Sequence, residues 1–164
     1  MDENLTPTEI FYKMRNQALN LEPEDIGVHP SKDLKHVYGI LMEIGHPDGV
    51  VTLIVLADGT VSLYYENGGG LIGAGGEAEV HKAAEEFLKV VEGHHRHFQE
   101  AHVGKLPEDG QVLFYVLTYR RGILTGEASE TKLGDKTHGL TEVFFAGHNV
   151  ISELRRIEEF REAE

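Results

Sequence analysis

The stretch from Val37 to Gly76 constrains the fold more than the rest of the chain does. It contains three apolar runs separated by turn signals, and a glycine-rich segment follows the third run. The runs are apolar at successive positions, whereas a sheet with one wet face would alternate apolar and polar residues. We therefore predict a β-meander that is covered on both faces, either by the chain's own helices or by a second subunit.

The first turn signal sets the register of the first two strands. His46-Pro47-Asp48-Gly49 favours a tight turn, because proline suits an early turn position and glycine tolerates left-handed dihedral angles. Such a turn would place Gly45 opposite Val50.

The second turn signal sets the register of the third strand. Asp58-Gly59 is typical of a two-residue type I′ hairpin. That hairpin would pair Ile54 with Leu63 and Leu56 with Val61, so all four side chains would lie on one face of the sheet.

The other segments predict the order of the remaining elements. Thr6-Pro7-Thr8-Glu9 supplies an N-cap threonine, a proline at N1 and a glutamate at N3, so a helix should run from about Pro7 to Asn20. The later elements follow in chain order: a long helix from Glu77, strands over Gln111–Thr118 and Ile123–Thr125, an optional strand over Thr141–Phe145, and a last helix capped by Asn149.

These elements predict an α+β fold with an antiparallel sheet of five or six strands, in the order α-β-β-β-α-β-β-(β)-α, with helices covering one or both faces. We predict a single domain over residues 1–164, with an N-terminal tail over residues 1–5 and a surface connector over residues 22–33. In element order alone, this arrangement resembles profilin-like or roadblock-type regulatory domains and acidic dimeric secretion chaperones.

Charge and composition narrow the classes of partner. Lys and Arg number 15 against 28 Asp and Glu, so the formal net charge is −13. A negative charge of this size repels phosphate backbones and anionic lipid surfaces, so we expect neither nucleic acid nor membrane as a partner. The chain has no cysteine, which excludes disulfides and thiolate metal sites and fits a reducing compartment. We expect a cytoplasmic protein.

The glycine-rich segment is one candidate ligand site. Gly68, Gly70 and Gly73 match G-x-G-x-x-G after a strand, as in dinucleotide-binding turns. Glu77 and Glu79 stand at the following helix start, however, where a bound anion would lie. A tightly turned connector is therefore favoured over a ligand loop. A ligand loop would use Gly70, Gly73, Gly75 and Gly76.

A histidine-rich segment is a second candidate site. The long helix would place His94 near the middle of its apolar stripe, with His97 one turn further on, unless Gly93 ends the helix and leaves a separate turn. A metal ion would be bound by His94, His97 and His102. The alternative is a core histidine with a hydrogen-bond partner and solvated neighbours.

Arg120 and Arg121 form a third candidate, a local basic spot at the turn after a buried strand. Guanidinium groups in this setting can receive a carboxylate or a phosphate, although a solvated turn also explains them.

Nothing in the sequence has the form of a catalytic nucleophile site. Glu43 is the one carboxylate in an apolar neighbourhood, and a solvent-facing strand end also explains it. We therefore predict a non-enzymatic binding or regulatory protein, with no cofactor, whose partner is another protein or a second copy in a homodimer. The alternative is a small-molecule- or metal-dependent activity centred on the glycine-rich segment and on His94 to His102.

Overall fold

The computed structural model describes residues 4–72 and 76–163. Within them, four α-helices and seven strands form, and the strands make one antiparallel sheet in the order β4-β3-β2-β1-β6-β7-β5. The helices are α1 (Pro7–Leu19), α2 (Ala78–Gly93), α3 (Glu130–Gly134) and α4 (Thr141–Ala163). The strands are β1 (Val37–His46), β2 (Gly49–Leu56), β3 (Val61–Tyr65), β4 (Gly70–Ile72), β5 (Gln99–Glu100), β6 (Gln111–Thr118) and β7 (Ile123–Ser129).

The predicted α+β class and its antiparallel sheet are confirmed. The sheet has more strands than expected because β4 and β5, which are three and two residues long, extend its two edges. The predicted start of α1 is also confirmed, since the Thr6 hydroxyl accepts the Glu9 N–H over 3.1 Å. None of the helices in the described part of the chain is long and apolar enough to cross a membrane.

Both faces of the sheet are covered by segments of this chain. One face packs against α2 and α4 through side chains such as Phe87, Val91 and Val150. The other face packs against α1 through Phe11 and Leu19, with residues of the connector and of the loop before β6 at its border. The prediction that the meander is apolar on both sides and covered on both sides is therefore confirmed.

The first hairpin has the predicted register, with Gly45 opposite Val50. The predicted register of the second hairpin is wrong by one residue, since Val55 pairs with Val61 and Leu53 with Leu63. A one-residue shift moves every side chain of a strand to the other face. Val61 and Leu63 accordingly lie in the core beneath α2 and α4, separate from the cluster that contains Ile54 and Leu56.

The difference comes from the length of the turn. Four residues, Ala57 to Thr60, lie between β2 and β3. Because Leu56 is hydrogen-bonded to Thr60, the turn itself has three residues, Ala57 to Gly59. The Gly59 N–H donates to the Leu56 carbonyl over 3.1 Å, and the Leu56 N–H donates to the Thr60 carbonyl over 3.0 Å. Gly59 has a φ of +97°, as expected for a type I turn that is closed by a left-handed residue.

The predicted optional strand over Thr141–Phe145 is wrong, because this segment is the beginning of α4, and Asn149 lies inside that helix rather than at its cap. Val143, Phe144, Val150, Ile151 and Leu154 are all buried, so the apolar run at the start belongs to a stripe with helical spacing. A run this short does not distinguish a strand from one turn of a buried helix.

Glu43 does not face solvent, as one reading of the sequence allowed. It is fully buried on β1 and receives two hydrogen bonds from the Arg15 guanidinium, at 2.6 and 2.8 Å. The Thr52 hydroxyl donates a third, at 2.7 Å. The ion pair therefore anchors α1 to the sheet.

Candidate functional site

The candidate site lies where the start of β1 and the end of β6 are side by side. Val37 at the start of β1 pairs with Thr118 at the end of β6. The Tyr119 N–H donates to the His36 carbonyl over 3.0 Å and so extends the pairing beyond both strands. The residues that precede β1 therefore lie beside the residues that follow β6.

The turn after β6 is built around Thr118. Its hydroxyl donates to the Gly122 carbonyl over 2.6 Å and accepts the Arg121 N–H over 3.0 Å. Arg120 and Arg121 are both exposed on this turn. The Arg121 Nε lies 3.9 Å from a Glu100 carboxylate oxygen, whereas Arg120 makes no ion pair with any residue that the structure describes.

The C-terminal end of α2 fixes the position of His36. One carboxylate oxygen of Glu92 accepts the backbone N–H groups of His36 and Val37, over 2.8 and 3.0 Å. The other oxygen lies 2.6 Å from His36 Nδ1. Burial raises the pKa of Glu92, but the hydrogen bonds from the His36 ring and from the two amides outweigh burial and lower that pKa below its usual value.

His95 follows α2 and stacks on His36. Their ring centroids are 4.2 Å apart, and the ring planes differ by 15°. His95 Nδ1 lies 2.8 Å from the Glu92 carbonyl oxygen, so this ring is also positioned by the end of α2.

These segments enclose a surface pocket of about 300 Å³. Its lining includes Lys35, Arg120 and Arg121, together with the two histidine rings. No carboxylate among the described residues lines it, although Asp and Glu outnumber Lys and Arg by 28 to 15 in the whole chain. Lys35 makes no ion pair with any described residue. We call this feature the β1–β6 pocket.

Other pockets on the surface have mixed charge. A pocket of about 280 Å³ near the β2–β3 turn is lined by Asp33, Asp58 and Glu85 as well as by lysine and histidine. A larger one of about 650 Å³ between α2 and α4 includes Glu86 and Glu142. An excess of positive charge therefore distinguishes the β1–β6 pocket from these two.

Of the residues predicted from the sequence, Arg120 and Arg121 lie in the β1–β6 pocket. Gly70 begins β4, where a Cβ would come within 2.2 Å of the Leu63 carbonyl oxygen, so strand packing alone accounts for this glycine. Gly76 is exposed just before α2, while Gly73 and Gly75 lie outside the described residues. Gly70 does not lie in the strand–turn–helix setting of a dinucleotide site, because it is the first residue of β4.

The predicted histidine cluster has its members in different settings. α2 ends at Gly93, and a short 3₁₀ turn over His95–His97 follows, as the alternative interpretation allowed. The His94 and His97 rings are 5.5 Å apart, and His94 Nε2 lies 3.6 Å from a Glu142 carboxylate oxygen. His102 is exposed in the loop after β5.

A different trio is closer together. Among the described residues, His36, Glu92 and His95 offer ligating atoms that all lie within 4.8 Å of one another, and His94, His97 and His102 do not form such a group. The residue patterns of the sequence did not point to His36, Glu92, His95 or Lys35. The one indication in the sequence was the Lys35-His36 pair immediately before the first strand. This pair predicts a basic site together with Arg120 and Arg121 only once β1 and β6 are known to be neighbours.

No protein-family model, no curated protein and no solved structure matches this chain.

Proposed function

We propose that this chain is a non-enzymatic binding or regulatory protein that binds a small oxyanion, of the phosphate, sulfate or carboxylate kind, in the β1–β6 pocket. The observation that carries the proposal is the lining of that pocket. Its described residues include three permanent cations and no carboxylate, in a chain of net charge −13. Planar guanidinium groups can bind oxyanions through paired hydrogen bonds, and Lys35 adds a third positive charge.

The overall charge of the chain opposes this binding, so the local charges must supply the attraction. At physiological ionic strength the Debye length is about 8 Å, so distant carboxylates are screened while groups in direct contact with the ligand are not. Binding should therefore persist in about 0.15 M salt and weaken as salt rises.

The first prediction is that sulfate binds saturably to metal-free protein and shifts the amide signals of residues 35–36 and 118–122 in a ¹⁵N NMR titration. Removing one charge-assisted hydrogen bond costs about 1.5 kcal/mol or more, so Arg120→Gln should weaken binding about tenfold. Lys132→Gln is the matched control, because it removes the same charge from an exposed site on α3. Phosphate and acetate titrations then rank the oxyanion classes.

Two results would contradict the proposal. One is the absence of saturable shifts for sulfate, phosphate and acetate alike. The other is an equal loss of affinity in Lys132→Gln and Arg120→Gln, because diffuse attraction and not a built pocket would then explain the binding.

The partner expected from the sequence remains a protein or a second copy of this chain. Two large apolar side chains in the described part of the chain are exposed, Ile10 on α1 and Phe145 on α4, at 43% and 40% of their surface. Phe145 borders the pocket between α2 and α4, which makes that surface the better candidate for a homodimer contact. The lack of cysteine supports a cytoplasmic location.

A further inference from the structure

We infer that His36, Glu92 and His95 bind one divalent transition-metal ion, with zinc as the reference metal, at the wall of the β1–β6 pocket. The inference does not depend on oxyanion binding, because it concerns a different ligand and uses Glu92, which does not line the pocket. Its basis is the convergence of three ligating atoms within 4.8 Å, supplied by two segments that the fold holds together.

The donor set suits such an ion. Two imidazole nitrogens and one carboxylate oxygen are a recurring zinc-binding combination, and three protein ligands leave a fourth position for water or an anion. Glu92 is already oriented, because its second oxygen accepts the His36 and Val37 amides. Second contacts of this kind fix a ligand's direction and tend to strengthen metal binding.

The distances require only small movements. Zinc–ligand bonds of about 2.0–2.1 Å in a tetrahedron place neighbouring ligand atoms about 3.3 Å apart. His36 Nδ1 and the nearer Glu92 oxygen are 2.6 Å apart, so a bound ion would widen this hydrogen-bond contact. His95 Nδ1 lies 3.9 Å from the same oxygen, so that separation would shorten. Both of these changes are below about 1 Å, and the ligating atoms of the two rings lie within 4.8 Å of each other.

The stacked rings must tilt for the ion to bind, because the in-plane lone pairs of two nearly parallel imidazoles do not meet at one point. His36 can supply the tilt, since its side chain is 49% exposed. A neutral ring that binds metal through Nδ1 carries its hydrogen on Nε2, so both Nδ1 hydrogen bonds to Glu92 would be given up.

Surrounding charges act in both directions. Lys35, Arg120 and Arg121 disfavour a cation, while the Glu92 carboxylate and the overall charge of −13 favour it. A fourth ligand with negative charge would reduce the repulsion from the three basic side chains. The fourth ligand of the bound ion is therefore expected to be an oxyanion or hydroxide rather than a neutral group.

The test uses untagged, chelator-treated full-length protein, titrated with Zn²⁺ in competition with a chromophoric chelator and, separately, with Co²⁺ followed by visible absorption. We expect one ion per chain, with the strong visible bands of four-coordinate cobalt. Glu92→Gln and His95→Gln should each lower Zn²⁺ affinity at least about tenfold. His94→Gln is the matched control, because it changes the neighbouring histidine and should leave affinity within about twofold.

The inference fails if His94→Gln lowers affinity as much as His95→Gln, because the ion would then be bound at the end of α2 facing Glu142. It also fails if zinc binds without a defined stoichiometry, or if neither Glu92→Gln nor His95→Gln changes the affinity. Glu92→Gln removes the acceptor of the His36 and Val37 amides and so can destabilise the fold. Circular dichroism of both metal-free variants shows which of them is folded, and only the affinity of a folded variant is interpreted. His95→Gln keeps these hydrogen bonds, so the test remains valid if Glu92→Gln does not fold. The sulfate titration on metal-free protein reports oxyanion binding separately.

Discussion

Glu43 lies at the centre of the molecule, on a strand with neighbours on both sides. An ionised carboxylate in that position is costly unless it is paired and fully hydrogen-bonded. Arg15 meets this need and donates its remaining hydrogen bonds to the Gly104 and Lys105 carbonyls, at 3.2 and 2.8 Å. No buried side-chain polar atom in the described residues lacks a partner.

Arg15→Met should lower the free energy of unfolding by about 3–5 kcal/mol, because it leaves the Glu43 carboxylate buried without its counter-charge. The double variant Arg15→Met with Glu43→Met should regain most of that loss, because neither charge then remains in the core. Urea unfolding followed by circular dichroism measures both. A loss below about 1 kcal/mol in Arg15→Met would mean that solvent reaches the pair.

The sequence indicated that Glu43 has apolar neighbours but not where its charge is balanced. Its partner is 28 residues away and on a helix, and no local pattern records that α1 packs across β1. Pairings between distant elements depend on tertiary packing, which periodicity and turn chemistry do not encode.

At the scale of elements, the apolar periodicity predicted more than the turns did. The α1 start, the β6 strand and the two-sided burial of β1 and β2 followed from local residue patterns. The β2–β3 register did not, because an Asp-Gly pair is compatible with both a two-residue turn and the last two positions of a three-residue turn. The choice between them depends on which register buries Val61 and Leu63 under the helices.

Gly59→Ala should destabilise the protein by about 1 kcal/mol, because a side chain at a φ of +97° is strained even though the space around it is open. Gly93→Ala is the matched control. Gly93 ends α2, has no unusual φ and has nothing within 4 Å of an added Cβ, so alanine there should be neutral or stabilising by about 0.5 kcal/mol. Thermal unfolding compares the two, and equal effects would contradict the turn geometry.

At the scale of the whole molecule, the covered sheet changes the reason for expecting a dimer. An uncovered apolar face would have required a second subunit, but α1, α2 and α4 cover both faces within one chain. A homodimer would therefore have to form through a helical surface or a sheet edge. Among the described residues, Phe145 on α4 is the exposed phenylalanine available for such a contact.

Light scattering at about 100 μM protein is expected to give twice the chain mass of 18.3 kDa. Phe145→Asp should shift this to the monomer mass, because it places a charge in an apolar contact. Ile10→Asp, on the opposite side of the sheet, is the matched control and should leave the dimer intact. A monomer mass for the unchanged protein would exclude the homodimer at this concentration.

In the candidate site, too, neighbours in sequence could be predicted and contacts between distant segments could not. Arg120 and Arg121 could be identified as a basic spot because they are adjacent in sequence. Their convergence with Lys35 and His95 depends on the β1–β6 pairing and on where α2 ends. That pairing joins segments about 80 residues apart, which turn and strand signals cannot reveal.

The β1–β6 pairing contains a register irregularity between Val37 and Gly39, immediately beside the pocket. Inserting or deleting one residue there would rotate Lys35 and His36 to the other side of the sheet and separate them from the arginines. Over evolutionary time, a lineage that depends on the pocket would have to keep the spacing at this irregularity, whereas loops far from the pocket would not be under that constraint. Insertions and deletions among descendants of this chain should therefore be rare between Val37 and Gly39 if selection acts on the pocket.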